Sequence, residues 1–314
     1  MKINFSKFDS LFTLTRYFNT EKKCRDAIAQ VRWADGDIIC PYCGTHHCKT
    51  GKDGRYRCKG CGNKFSVRVG TVFEGSNLPL RKWMMALYLI SSHKKGISSC
   101  QLARDLGVTE KTAWYLLHKA RSLFAQDDSQ ALNGEVECDE TYVGGREKNK
   151  HESKKTEHNR GRSHKNKTPV FGMLQRGGNV VAMKVEDSRG ATLVPIIEQF
   201  VEQGARVYTD EHGGYSKLSD LGYLHGVVQH GDRIFVGADG ISTNHVEGFW
   251  AQLKRMIFGI YHFVSVKYLQ RYVDEAVFRY NTREWSESRR FERMFERSTG
   301  RFTYKDVVVL GVLG

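Results

Sequence analysis

The stretch VECDETYVGG, residues 136–145, places charge inside what otherwise reads as a β-strand. Val136, Thr141 and Val143 are β-branched and Cys138 is apolar, so a strand is predicted over 135–143. Asp139 lies in the middle of it. A carboxylate among such neighbours is costly unless it meets a cation. The same pattern returns in ARVYTD, residues 205–210, a short apolar strand that ends in Asp210. A third acid, Glu247, falls in the helical segment opened by STNHVEGFWAQLKR, residues 242–255.

Between and around these segments, strands and helices alternate. Strands are predicted at 170–174, 180–185 and 226–229, with Gly177-Gly178-Asn179 as a hairpin turn. Helices are predicted at 191–202, 243–262 and 265–283. In such a domain, carboxylates at strand ends project together above a sheet, and a glutamate from a packed helix completes a cage of hard oxygens. That cage suits two Mg²⁺ or Mn²⁺ ions bridging a substrate phosphate. Lys254 follows Glu247 by two helical turns and shares its face, where an ammonium can meet the neighbouring phosphate. Gly144, Gly145, Gly213 and Gly214 permit close approach of a DNA backbone. Glu140 and Glu211 compete with the two aspartates, but strand alternation directs them to the opposite face. With 35 acidic residues in the chain, a chance triple is the alternative.

The segment from Arg146 to Lys167 holds nine Lys or Arg, three acids and almost nothing apolar. It reads as a loop or insertion that contacts DNA phosphates, or simply as a solvated loop. Upstream, ISSCQLARDLGVTEKTAWYLLHKAR, residues 97–121, has the layout of a helix-turn-helix. Ser98 or Ser99 caps a first helix, Gly107 turns the chain and Thr109 caps a second. Glu110, Lys111, Thr112, Tyr115, His118 and Lys119 are candidates to face DNA. An ordinary helical hairpin is the competing reading. Helix is also predicted over 1–38 and from 77, with Ser76 or Asn77 as cap and Pro79 in the first turn.

Cys40-Pro-Tyr-Cys43 is followed, fourteen residues on, by Cys58-Lys-Gly-Cys61. Paired CxxC knuckles supply four thiolates, the closed tetrahedral set of structural zinc; iron or a redox dithiol are the rivals. Gly44 and Gly62 follow the pairs where a tight turn needs positive φ. Lys49, Lys52, Arg55, Arg57, Lys59, Lys64 and Arg68 surround the ribbon.

The whole composition agrees. The 314 residues carry 49 Lys and Arg against 35 Asp and Glu, a net charge of +14 that favours a polyanionic partner, nucleic acid above all. Hydrophobic residues at 40% permit a sizeable core. The longest uncharged apolar stretch, 83–90, is far short of the about 20 residues of a membrane span. No signal peptide is legible, so the eight cysteines are expected in a reducing compartment.

Taken together, CPYCG with CKGCGNKFSV and GTVFEGS, then VECDETYVGG, VYTDEHGGY and STNHVEGFWAQLKR, resemble the bacterial insertion-sequence transposases of the ISXO type, related to Merlin elements. The resemblance spans residues 40 to about 255. It implies an α/β catalytic domain with a mixed five-stranded, ribonuclease H-like (retroviral integrase-like) sheet. It also implies catalytic Asp139, Asp210 and Glu247 binding Mg²⁺ or Mn²⁺, with Lys254 as the basic residue and Asn244 as a possible assistant. The expected organisation is an N-terminal helical segment (1–38), a zinc ribbon (39–70), a helix-turn-helix-like DNA-binding domain (77–130), the catalytic domain (134–285) and a C-terminal tail (286–314). The expected partners are double-stranded DNA, as transposon terminal inverted repeats and as target, and a second copy of the chain in a dimer or larger assembly, in the bacterial cytoplasm at the nucleoid. A plain nuclease of the same fold, or an inactive zinc-containing regulator, are the alternatives.

Overall fold

The computed structural model describes residues 3–126, 131–144, 167–211, 213–228, 241–302 and 306. Residues 146–166 of the basic segment, with Gly145 and Gln229, lie outside the described residues. The chain divides into two compact units, residues 1–124 with 284–314, and residues 125–283.

In the first unit, residues 1–38 are not one helix. A 3₁₀ turn at Phe5–Lys7 precedes α1 (Leu11–Tyr17) and α2 (Glu21–Arg32). Ser10 and Thr20 interrupt the run because each side chain accepts a hydrogen bond from a backbone N–H three residues on, restarting the helix. Strands β1 (Cys48–Thr50), β2 (Tyr56–Cys58) and β3 (Lys64–Phe65) form a small antiparallel sheet. Helix α3 (Leu80–Ser92) is capped neither by Ser76 nor by Asn77. The Glu21 carboxylate accepts from the N–H groups of Leu80 and Arg81 at 3.0 and 3.1 Å, and Pro79 stands at the cap position.

Helices α4 (Ser99–Leu106) and α5 (Glu110–Arg121) follow, capped by Ser98 and Thr109 and joined through Gly107 at φ 57°. The expected DNA-facing surface of α5 is smaller than its sequence suggests. His118 and Lys119 are fully buried, and the Lys119 ammonium donates to the Glu74 carbonyl at 2.6 Å. Burial pulls the Lys119 pKa down to about 8. Glu110, Lys111 and Trp114 stay exposed.

Residues 286–314 are likewise not simply a tail. Glu287–Arg297 forms α9, capped by Ser286. Its Phe291 and Phe295 are fully buried and meet Phe5, Phe8 and Phe18 at ring-centroid distances between 5.5 and 6.4 Å.

The second unit is built on a five-stranded mixed sheet. Its strands are β4 (Glu135–Gly144), β5 (Lys167–Gln175), β6 (Val180–Lys184), β7 (Arg206–Asp210) and β8 (Leu224–Val228), in the order β6-β5-β4-β7-β8. The pairs β4–β5 and β5–β6 are antiparallel, while β4–β7 and β7–β8 are parallel. Gly177, at φ 69°, closes the expected hairpin.

Alternation along the strands divides the core in two. Val136, Cys138, Phe171 and Val207 pack with Leu193, Ile197 and Phe200 of α6 (Gly190–Phe200). Val143, Val170, Leu174 and Val180 pack with Val246, Phe249 and Leu253 of α7 (Asn244–Met256), and with Val273 and Val277 of α8 (Leu269–Asn281). The predicted helix over 243–262 is thus shorter: α7 passes into a π turn at Ile257–Tyr261.

Candidate active site

The parallel ladder between β4 and β7 puts Glu135 opposite Arg206 and Glu137 opposite Tyr208. The pairing stops there while both strands continue, and the same step of two brings Asp139 level with Asp210. Asp210 is the last residue of β7 and is buried. Carboxylate oxygens of Asp139, Glu140 and Asp210 all lie within 4.8 Å of one another.

Glu140 obeys strand alternation, yet its carboxylate still reaches this group. The phenol of Tyr215, itself buried in the core beneath α6, donates a hydrogen bond to it. The expectation that alternation would remove Glu140 from the site is therefore corrected. Where β4 runs on beyond its pairing with β7, side chains from both faces can converge past the free strand edge. Glu211, by contrast, is exposed.

Burial and the negative charges of Glu140 and Asp210 push the Asp139 carboxyl up to about 7. Three carboxylates so close repel one another, and a divalent cation among them would reverse that penalty. The donor set is all oxygen, as Mg²⁺ and Mn²⁺ require.

Glu247 lies outside the 4.8 Å group. It is exposed on α7, and the Thr243 hydroxyl donates to it at 3.4 Å. Asn244 and Lys254 are exposed too, and spacings of three and seven residues set all three on one stripe of the helix.

Two residues that sequence reasoning passed over tie α7 to β4. Glu137, fully buried, accepts from the backbone N–H groups of His245 and Val246 at 2.8 and 3.1 Å. It also accepts from Arg176 Nε at 2.8 Å and pairs with His245 Nδ1 at 2.8 Å. Trp250 donates its indole N–H to Asp139 Oδ2 at 2.9 Å.

In the first unit, the four cysteines form a second cluster within 4.8 Å. The Cys40–Cys61 and Cys43–Cys58 sulfur separations are 3.8 and 3.6 Å. Tetrahedral zinc with bonds of about 2.3 Å needs about 3.8 Å between sulfurs. The Cys61 and Gly60 N–H groups point at Cys58 Sγ from 3.3 and 3.2 Å, and the former is the main reason its thiol falls to about 6. Gly44 and Gly62 both have φ of 73°, the turn conformation expected of them. The residues present fit zinc.

Across the ribbon sheet, Lys49 faces Arg57 and Arg57 faces Lys64 in cross-strand pairs, all three exposed. Like charges directly opposite one another are destabilising, a cost that a bound anion would relieve.

Two family models match the same two parts of the chain. Residues 131–281 match the ISXO2-like transposase domain, and residues 19–64 match the transposase zinc-ribbon domain. A Halobacterium salinarum protein described as an uncharacterized protein in transposable element ISH50 is 32% identical over 260 residues, covering 76% of this chain and 84% of the relative. No solved structure matches. Among the described residues, no helix is long and apolar enough to cross a membrane. With both domains matched and that relative aligned over most of its length, the chain belongs to the ISXO2-like, zinc-ribbon-containing transposases.

Proposed function

We propose that this chain cleaves the ends of its insertion sequence by metal-dependent hydrolysis and transfers the freed 3′ ends into target DNA, using Asp139, Asp210 and Glu247. The observation that carries this reading is the alignment of Asp139 and Asp210 on adjacent parallel strands, with Glu140 beside them, so that three carboxylates share one small volume. The sheet order, with β5 antiparallel and β7 parallel to the central β4, supports a ribonuclease H-like fold.

Asp139 and Asp210 would hold divalent cations, Glu247 would complete their oxygen shell from α7, and Lys254 would steady the neighbouring phosphate. When bound, the cations supply activation of the attacking water or 3′-hydroxyl and stabilise the leaving oxygen. The protein contributes placement: β4 and β7 fix two carboxylates with little side-chain freedom, and α7 presents the third. No covalent protein–DNA intermediate is needed. The ribbon (39–70) and the helix-turn-helix-like segment (77–130) would hold DNA, and joining two ends calls for at least a dimer.

Labelled transposon ends with Mg²⁺ and supercoiled target test the reading. The expected products are 3′-nicked ends and their joined strands. Cutting without joining would favour a nuclease, and binding without cutting an inactive regulator.

Glu140 makes a sharper prediction about the cluster. Glu140→Gln keeps an oxygen that can accept from Tyr215 but removes a negative charge from within 4.8 Å of the two aspartates. Mn²⁺ binding by calorimetry should weaken about tenfold, roughly 1.4 kcal/mol. The exposed Glu211→Gln should bind as the parent does. Equal affinity in the two variants would remove Glu140 from the cation's surroundings.

The ribbon's cation row makes another. Replacing Lys49, Arg57 and Lys64 by Gln should lower the slope of log affinity against log salt by about 0.9 for each phosphate no longer neutralised, up to about 2.7. An unchanged slope would show that the row faces solvent only.

A further inference from the structure

Helix α7 is held to β4 at two points, and the two spacings match. Glu137 and Asp139 are alternate residues on one face of the strand, about 6.6 Å apart along it. Val246 and Trp250 are four residues apart on the helix, a rise of about 6 Å. Glu137 takes the Val246 N–H and Asp139 takes the Trp250 indole N–H, so the helix lies alongside the strand in the same direction. Glu247 falls between the two anchors.

Each anchor is built in rather than incidental. The Thr243 side chain accepts no capping hydrogen bond from α7, and the His245 and Val246 N–H groups of the first turn are met instead by Glu137 from another element. The helix N-terminus favours that negative charge. Glu137 is itself balanced by Arg176, which reaches from the β5–β6 hairpin and also bonds the Ser242 carbonyl and hydroxyl just ahead of α7. At the second anchor, Gly172 is the cross-strand partner of Asp139. A Cβ at Gly172 would lie 2.5 Å from the Trp250 ring, so the indole reaches Asp139 only because that strand position is bare.

We propose that Glu137 and Trp250 are positioning residues, a two-point strap that sets Glu247 and Asp139 toward one shared cation. The inference rests on the proposed active site. Glu137 acts through Glu247, by fixing the first turn of its helix. Trp250 acts on Asp139, by fixing one carboxylate oxygen and thereby the direction of the other.

A double-mutant cycle tests this, with full-length protein, Mn²⁺ binding and thermal stability as readouts beside strand cleavage. Glu137→Gln should weaken Mn²⁺ binding about tenfold in the parent and by less than about twofold when Glu247 is already Gln. Its thermal destabilisation should be the same in both backgrounds. A purely structural Glu137 would lower Mn²⁺ affinity equally in both, and that result overturns the proposal. If Glu137→Gln does not fold, Trp250→Phe decides, because it removes the indole N–H donor while keeping an aromatic ring at that position of α7. It should weaken Mn²⁺ binding about fivefold with an unchanged circular dichroism spectrum, and parent-like affinity would sink the strap. Asp139→Asn and Asp210→Asn measured alongside separate the two failures. If they too leave Mn²⁺ binding untouched, the metal site itself is misplaced; if they abolish it while the strap variants do not change it, only the strap is wrong.

Discussion

Asp139→Asn, Asp210→Asn and Glu247→Gln should each reduce strand cleavage and joining by about three orders of magnitude or more, and the triple variant should be little worse. Each replacement keeps side-chain volume and removes one charge. On the proposed mechanism the three carboxylates would serve the same cations, so losing one would disable the group as a unit. Binding to transposon ends should persist, because the ribbon and the α4–α5 pair are untouched. The Asp139 variant carries its own signature. With its pKa raised from 3.8 to about 7 by burial and by Glu140 and Asp210, ionising Asp139 costs the folded chain stability as pH rises between those values. In a chelating buffer above pH 7, Asp139→Asn should therefore melt higher than the parent, and by less as pH falls toward 4. A variant that cleaves at parental rates, or a melting difference independent of pH, would argue against these assignments.

Removing zinc should have the second largest effect, on a different property. Structural zinc contributes about 10–16 kcal/mol of apparent binding free energy in small finger peptides, and that energy is folding energy. The ribbon sheet consists of strands of three, three and two residues, far too little to hold itself together. Cys43→Ser should drop zinc from one per chain to none and weaken binding to transposon ends at least about tenfold. A purified Cys43→Ser protein with one zinc per chain and parental stability would show that other ligands hold the metal.

The sequence made the sheet and the metal pairs legible for different reasons. CxxC spacing encodes its own geometry, so Cys40, Cys43, Cys58 and Cys61 could be grouped without knowing the fold. Strands β5 and β6 announce themselves because both faces of the sheet are covered, which leaves Val170, Phe171, Val180 and Val181 in nearly continuous apolar runs.

What stayed hidden was long-range. Glu137 looked like one more acid in VECDETYVGG; nothing local says that it caps a helix 108 residues away. Glu140 followed the alternation rule, but the rule describes direction and not reach. Lys119 was a charged residue on a candidate recognition helix, and its burial is explained by the Glu74 carbonyl, 45 residues away, that accepts from its ammonium. In ESRRFERMFERS the charges outnumber a narrow stripe of Phe291, Met294 and Phe295. The three- and four-residue spacing of those three was the available sign of a buried helix.

That last helix has a consequence for how the chain is made. The aromatic cluster of Phe5, Phe8 and Phe18 is completed by Phe291 and Phe295, so the N-terminal unit lacks part of its core until α9 has emerged from the ribosome. The unit formed by residues 125–283 is contiguous and can fold while its host waits. At about 5–20 residues per second, translating from residue 124 to residue 297 takes about 9–35 seconds. A nascent chain would thus have its carboxylate cluster assembled before its first unit is finished, and a message truncated ahead of residue 284 would not yield a well-folded N-terminal fragment.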